Sequence, residues 1–312
     1  MTVVRVIMIG DVIGEPGLCA LEKRLPVLIE KNAADFAVVN GENAAGGFGM
    51  TEAAARRMFA AGADVITGGN HIWEKRDFLP YMDTEERILR PANYPPPAAG
   101  RGWFIVEKAL RRAPGSAEAG GAEAGLSGKP EDDEQLQRTA SFLVINLQGR
   151  EFMTAIDCPF KTFDAVAAEG LIPLTHSHAL LEPDGAGPEF LERGCVILVD
   201  FHAESSREKE SLGFYLDGRA SLVAGTHTHV QTADERVLPG GTAYITDLGM
   251  TGVRDSVIGM DPGICLDRAR HQVLYRMEVA GGPVSVVQGI IAEIDRETGR
   301  TQAIRRIQDT SE

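Results

Sequence analysis

Aromatic residues are scarce, at 6% of the chain, so aliphatic side chains must fill any core it builds. CxxC pairs are missing altogether. The four cysteines (Cys19, Cys158, Cys195 and Cys265) lie far apart, which argues against a thiolate zinc site and reads instead as small buried hydrophobes in a reduced compartment. No apolar run approaches the roughly 20 residues that a membrane span needs. The short apolar start, Val3 to Ile9, runs into Gly10-Asp11 without a small-residue cleavage site, so it reads as a buried strand and not a signal peptide. These absences predict a cytoplasmic protein with no membrane association. Positive charge is also in deficit: 31 Lys and Arg stand against 45 Asp and Glu, a formal net charge of −14. Non-specific binding to a nucleic-acid backbone needs clustered cations and is not expected. A small anionic substrate stays compatible, because bound cations can reverse the field locally. The sequence is equally compatible with a homo-oligomer.

What the chain does have is the composition of an ordinary globular protein, with 44% hydrophobic and 24% charged residues over 312 positions. Strand and helix signals alternate over its first 70 residues. Val3–Ile9, Phe36–Asn40 and Asp64–Thr67 are short aliphatic runs suited to buried parallel strands. Between them, Pro16-Gly17 opens a helical stretch that Pro26 should kink or end, and Thr51 can cap a helix through about Ala60. This βαβαβ order predicts a parallel sheet. Further strands are expected at Phe142–Asn146, Val196–Val199, Ser221–Ala224 and Thr242–Ile245. An antiparallel pair, Val273–Val279 with Val284–Ile294, should turn around Gly281-Gly282-Pro283. The expected fold is an α/β sandwich of two sheets with helices outside, in a single domain over 1–312. Residues 109–140, of low complexity and with nothing to bury, read as a flexible surface insertion between two strands.

Polar residues able to bind metal recur just after these strands. Asp11 follows the first, Glu42 and Asn43 the second, and Asn70 and His71 the third. His202 ends a later strand, and His227 and His229 end another, two residues apart and so on one side of an extended chain. In open α/β sheets the carboxyl ends of strands are where ligands bind, so these groups can converge. Alone, each has a plain structural reading: Asp11 or Asn70 as a turn or cap residue, Glu42-Asn43 as a polar loop, His202 as a hydrogen-bonded core histidine. Five such motifs in order, each at a strand end, favour a site. Carboxylates, amide oxygens and imidazoles together suit Mn, Fe or Zn better than Ca. They are too many for one ion, whereas a pair about 3.5–4 Å apart, bridged by a carboxylate, would use them all.

The residues also carry a resemblance. The stretches Ile9-Gly-Asp-Val-Ile-Gly-Glu-Pro-Gly17, Asn40-Gly-Glu-Asn-Ala-Ala-Gly-Gly-Phe-Gly49, Gly68-Gly-Asn-His-Ile-Trp73, Arg90-Pro-Ala-Asn-Tyr-Pro95 and Asp200-Phe-His-Ala-Glu204 stand in order. Gly225-Thr-His-Thr-His-Val-Gln-Thr-Ala-Asp-Glu235 and Thr246-Asp-Leu-Gly-Met-Thr-Gly252 follow them. The set resembles the calcineurin-like metallophosphoesterase superfamily, and more closely its YmdB-type bacterial branch, associated with cyclic-nucleotide phosphodiesterase activity. Nearly the whole chain is covered, excepting 109–140 and the last few residues. The resemblance implies a metallophosphoesterase-like β-sandwich flanked by helices, with mixed sheets and the metal site at the strand C-terminal ends. It implies two divalent or mixed-valence transition-metal ions, Fe or Mn in first place and Zn as an alternative. One ion would take Asp11, Glu42, Asn43 and His229, the other Glu42, Asn70, His202 and His227, with Glu42 as the bridge. The wider superfamily usually has Asp-x-His in its first motif. Ile13 occupies that histidine position here, and Asn43 is available to compensate.

The implied activity is hydrolysis of small phosphate esters such as 2′,3′- or 3′,5′-cyclic nucleotides. A metal-activated hydroxide would attack phosphorus while His71 acts as general acid on the departing oxygen. Further ligation or orientation by His71 is the alternative role for that residue. A phosphomonoesterase or nucleotidase, or a metal-containing regulatory protein with little turnover, are the competing functions. Asp200 and Asp247 are expected to orient ligand histidines. His176 and His178 read as surface or capping residues outside the motifs. Gly46-Gly47-Phe48-Gly49 lacks the order of a dinucleotide fingerprint and reads as a flexible rim. Glu204 to Glu208 resembles a capped helix start, with phosphate binding by Arg207 the lesser reading.

Overall fold

The computed structural model describes residues 3–111, 139–171 and 195–311. Most of the expected insertion at 109–140, and both His176 and His178, lie outside the described residues.

Two mixed sheets face each other. The first is built around β1 (Val3–Ile9), β3 (Phe36–Asn40), β4 (Val65–Thr67) and β5 (Ile88–Leu89), all parallel. It continues through β13 (Ser285–Asp295), antiparallel to β1, to β12 (Met250–Val253) and β2 (Asp11–Val12), while β14 (Thr301–Ser311) pairs with β13. The second runs in the order β10 (Arg236–Val237), β11 (Ala243–Ile245), β9 (Leu222–Thr226), β8 (Cys195–His202), β7 (Thr139–Gln148) and β6 (Trp103–Ala109). Its four central strands are parallel, and its two edge strands run antiparallel to them. Side-chain alternation makes the layers. In β1, Val4, Val6 and Met8 join the core between the sheets, while Ile7 and Ile9 face the helices. In β8, Val196 and Leu198 point inward, and Ile197, Val199 and Phe201 outward. Phe36 and Phe142 stack across the two sheets with ring centroids 4.1 Å apart.

Helices α1 (Gly14–Lys31), α2 (Glu52–Ala60) and α3 (Leu79–Thr84) cover the outer face of the first sheet. Helices α4 (Pro159–Leu171) and α5 (Ser206–Tyr215) cover that of the second, and α6 (Pro262–His271) has no fully buried residue, its half-buried Cys265 packing against Ile13, Met250, Met260 and Val286. Thr51 caps α2 as expected, its hydroxyl accepting from the Ala54 N–H. Among the described residues, no helix is long and apolar enough to cross a membrane.

Three local expectations need correction. Pro26 neither ends nor splits α1, which continues to Lys31. Burial of Leu25, Leu28 and Ile29 on either side of it outweighs the cost of about 3 kcal/mol for an interior proline. Residues Val273–Val279 form no strand: only Val279 makes an isolated bridge, to Met260. The partner of β13 is β14, which the sequence reading missed, reached through a turn in which Asp295 Oδ1 accepts from the Glu297 and Thr298 N–H groups. One face of β14 is largely exposed, so its polar residues hid the strand period. The edge strand β6 also went unread.

Candidate metal centre

Every residue proposed as a ligand lies at one end of the sandwich, and both sheets contribute. Asp11 stands at the start of β2, directly after β1. Gly10 before it passes so close to the Gly249 carbonyl that a Cβ there would collide with backbone. Glu42 and Asn43 occupy the turn after β3. Asn40 holds that turn: its Oδ1 accepts the Glu42 N–H at 3.2 Å, and its Nδ2 donates to Asp200 Oδ2 at 3.1 Å. Asn70 follows β4. His202 ends β8, and His227 and His229 follow β9. A Cβ at Gly69 would overlap both the Glu42 carboxylate and the His202 ring, so glycine there lets the two sheets bring these side chains together.

The side chains proposed as ligands form two groups that share Glu42. In the first, Asn43 Nδ2 lies 3.5 Å from Asp11 Oδ1, 3.3 Å from Glu42 Oε1 and 3.4 Å from His229 Nε2. In the second, His202 Nε2 lies 3.1 Å from Glu42 Oε1, 2.9 Å from Asn70 Oδ1 and 3.0 Å from His227 Nδ1. Glu42, His202 and His227 thus offer three donor atoms within 4.8 Å of one another. Asp11, Glu42, Asn43 and His202 are all buried.

The histidines are oriented from outside this cluster. His202 Nδ1 meets Thr226 Oγ1 at 3.0 Å, and that hydroxyl donates to Asp200 Oδ1 at 2.7 Å. His227 Nε2 faces Glu204 Oε2 at 3.1 Å, and His229 Nδ1 faces the Ile258 carbonyl at 3.0 Å. One ring nitrogen of each histidine is therefore fixed, which turns the other inward. Asp200 acts as expected, through Thr226, and also accepts from Thr67 Oγ1 at 2.5 Å. Asp247 grips the chain between the two histidines, accepting from the Thr228 N–H at 3.1 Å and its hydroxyl at 2.7 Å. Glu204, Thr226 and Asn40 were not singled out in these roles by sequence reading. The extended geometry expected for the His227/His229 pair also needs correcting. Both residues have left-handed backbones, with φ of 98° and 63°, so a kinked loop and not a strand brings them to the cluster.

The charge balance calls for cations. Burial alone would raise the Asp11 and Glu42 carboxyls. The His229 charge and hydrogen bond at Asp11, and His202 at Glu42, overcome burial and hold both below their usual range. Conversely, burial would lower His229, but Asp11 pushes it up to about 9. Burial and the neighbouring His202 charge push His227 down to about 4. Burial pushes the Asp200 carboxyl up to about 6, against hydrogen bonds that favour its charged form. Protons on imidazoles thus neutralise buried carboxylates at positions where metal ions would do so. The amide oxygen of Asn43 is buried without a hydrogen-bond partner among the described residues. A cation beside Asn43 would supply that partner once the amide turned its oxygen inward, so this donor set fits a metal ion.

His71 sits at the rim. Its N–H donates to Glu42 Oε2 at 3.0 Å, and its Nδ1 lies 2.6 Å from Glu74 Oε1. Among the described residues, the ring-nitrogen contact of His71 is to Glu74 and not to the proposed ligands. With Asn43, His227, Phe48, Ile258, Met260 and Met277, it lines a cleft of about 710 Å³ that opens onto the cluster. Arg207, exposed and paired with Glu151 at 2.8 Å, is not among the cleft's lining residues, and Ser205 caps α5.

A model of the YmdB-like proteins matches residues 7–114 and 123–307. The chain belongs to this family. A Bacillus subtilis protein named 2′,3′-cyclic-nucleotide 2′-phosphodiesterase is 38% identical over 303 residues, covering 97% of this chain and 96% of its own length. A Mycoplasma pneumoniae protein named as a putative phosphatase/phosphodiesterase is 30% identical, covering 99% and 95%. Among solved structures, a hypothetical protein from Thermus thermophilus superposes with a TM-score of 0.74 at 33% identity, covering 99% of this chain and 100% of that one. A Mycoplasma pneumoniae phosphatase superposes with a TM-score of 0.76 at 26% identity, covering 99% and 94%. The family membership and the metallophosphoesterase-type fold agree with the resemblance read from the motifs.

Proposed function

We propose that this protein is a two-metal phosphodiesterase that hydrolyses small cyclic-nucleotide esters in the cytoplasm, on the pattern its Bacillus subtilis relative's name describes. The observation that carries the reading is the division of the donor atoms into two groups sharing the Glu42 carboxylate. Asp11, Asn43 and His229 would hold one ion and Asn70, His202 and His227 the other, with Glu42 between them. Because the first sheet supplies four of these residues and the second three, we read residues 1–312 as one working domain. Two transition-metal ions there, of the Fe, Mn or Zn kind that an O/N donor set suits, would polarise a phosphoryl oxygen and supply the hydroxide nucleophile.

The chain's own residues do the rest. The cleft wall of Phe48, Ile258, Met260 and Met277 takes the apolar body of the ester and excludes water around the reacting phosphate. Glu74 fixes His71 through Nδ1, leaving Nε2 to hold the proton for the departing ester oxygen. Phe48 packs edge-on against the His71 ring, with centroids 5.1 Å apart, and limits its swing.

Metal analysis of protein purified without added ions, with a nucleotide panel, tests this. Close to two transition-metal ions per chain are expected, with chelation abolishing turnover. Cyclic diesters and bis-p-nitrophenyl phosphate should be cleaved well ahead of p-nitrophenyl phosphate. Faster turnover of the monoester would favour a phosphomonoesterase. The Glu42→Ala variant should lose both ions, and its retaining two ions with normal activity would remove Glu42 as the bridge.

A further inference from the structure

A second hollow adjoins the cleft. It is lined by Gly46, Phe48, Glu74, Lys75, Arg268, Tyr275, Arg276 and Met277, and it shares Phe48, Arg268 and Met277 with the cleft over the metal centre. Its chemistry differs from the rest of the chain. The protein carries a net charge of −14, and many of its cations are tied to carboxylates, as Arg57 is to Glu15 and Glu22. Lys75, Arg268 and Arg276 make no ion pair among the described residues. Among the described residues Arg268 donates to the Tyr275 carbonyl, at 3.1 Å, which steadies it against the segment following α6. The one carboxylate in the hollow, Glu74, is already engaged with His71 Nδ1 at 2.6 Å. Three cations therefore face a space that opens beside the reacting phosphate, and two aromatic rings, Phe48 and Tyr275, stand among them. At Gly46 a Cβ would meet nothing within 4 Å, so the hollow is open there.

We infer that this hollow is a second phosphate subsite, and that the enzyme acts on short RNA fragments ending in a 2′,3′-cyclic phosphate as well as on free cyclic mononucleotides. The inference rests on the phosphodiesterase reading of the adjoining site. With the cyclic phosphate at the metal centre, the terminal nucleoside lies along Phe48 and Met277. Its 5′-phosphate then enters the hollow, where Lys75 and Arg276 contribute point and forked donors to a diester that carries one negative charge. The preceding base can stack on the exposed Tyr275 ring, as bases do on aromatic platforms in single-strand sites. The remaining protein surface is anionic overall and repels the further phosphates of a long strand, which limits the substrate to short ends. The reaction is the same hydrolysis: water adds to phosphorus, one ester P–O bond breaks, and the departing sugar oxygen takes the proton.

The test compares kcat/KM of the metal-loaded enzyme for three substrates: adenosine 2′,3′-cyclic phosphate, its 5′-phosphorylated form, and the dinucleotide adenylyl-adenosine 2′,3′-cyclic phosphate. The dinucleotide is expected to exceed the mononucleotide by about tenfold, with the 5′-phosphorylated form between them, and added salt should erode the gain. Lys75→Gln/Arg276→Gln should abolish that gain while leaving mononucleotide turnover unchanged. Equal kcat/KM for all three substrates would overturn the subsite, and so would a double variant that lost mononucleotide and dinucleotide turnover in equal measure. A gain with the 5′-phosphorylated mononucleotide alone would overturn the RNA-end assignment. If no cyclic nucleotide is turned over, the phosphodiesterase reading fails by itself. Equilibrium binding of the uncleaved dinucleotide 3′-phosphate then decides the subsite: affinity about tenfold weaker in the double variant supports it, and equal affinity overturns it.

Discussion

Asp247 and Thr228 are joined twice through one atom: Asp247 Oδ2 accepts from both the Thr228 N–H and its hydroxyl. The same oxygen takes Lys209 Nζ at 2.7 Å, with both charged groups buried. That oxygen holds the loop on which His227 and His229 adopt left-handed backbones. Such conformations cost about 1–3 kcal/mol each for residues other than glycine, and they persist where surrounding contacts over-determine them.

The first prediction follows from this grip. Thr228→Val keeps the volume and removes the hydroxyl. It should weaken metal retention by roughly 10–100-fold, the range found for partners that orient ligands, with little loss of folded protein. Asp247→Ala should be worse in kind, because it leaves buried Lys209 uncompensated, at about 3–5 kcal/mol of stability. Chelator competition and denaturant melts separate the two effects. If Thr228→Val held its ions as tightly as the parent, the loop would owe its shape to something other than Asp247.

The convergence of the proposed ligands was legible because each of them stands where a strand runs out. Asp11, Glu42, Asn43, Asn70 and His202 are marked by an aliphatic run ending in a polar residue, and a short turn cannot carry that residue far from the strand end. The sheet order then brings them together without further information. What holds the histidines was less legible. The partners of His227 and His229 are Glu204, on a different segment, and a backbone carbonyl at Ile258, which has no side-chain signature at all. The two-residue spacing of these histidines suggested an extended chain, yet convergence is achieved by φ values that spacing does not encode. β14 escaped notice because its exposed face carries Gln302, Arg306, Gln308 and Thr310, with Ile304 the one apolar residue among them.

A second prediction concerns residues 109–140. Ala109 of β6 is paired in register with Thr139 of β7, so the chain departs and returns at adjacent positions on one sheet edge. A short turn can close that gap. Deleting about Pro114 to Pro130 should therefore leave the thermal midpoint within a few degrees and the activity nearly unchanged, because closing a shorter loop costs the chain no more entropy. Calorimetry and turnover of a cyclic diester check it. Loss of soluble folded protein would show that the deleted stretch packs against the sandwich.

The sharpest prediction separates two neighbours in the sequence. Asn70 Oδ1 lies 2.9 Å from His202 Nε2, inside the second donor group, whereas His71 turns its ring to Glu74 at the cleft rim. Asn70→Ala should thus weaken one metal site and lower activity that excess metal partly restores. His71→Ala should keep both ions and still bind substrate, yet lose about 10²–10⁴-fold in turnover if it supplies the proton to the departing oxygen. Glu74→Gln, which removes the carboxylate that orients that ring, should fall between His71→Ala and the parent on a mononucleotide substrate. The His71→Ala loss should shrink for a p-nitrophenyl diester, whose leaving oxygen needs little protonation, and stay large for a cyclic nucleotide, whose sugar alkoxide needs it. Metal analysis and paired kcat values for the two substrates read out both halves. Equal losses on good and poor leaving groups, with both ions retained, would remove the general-acid role and leave His71 as a group that positions the phosphate.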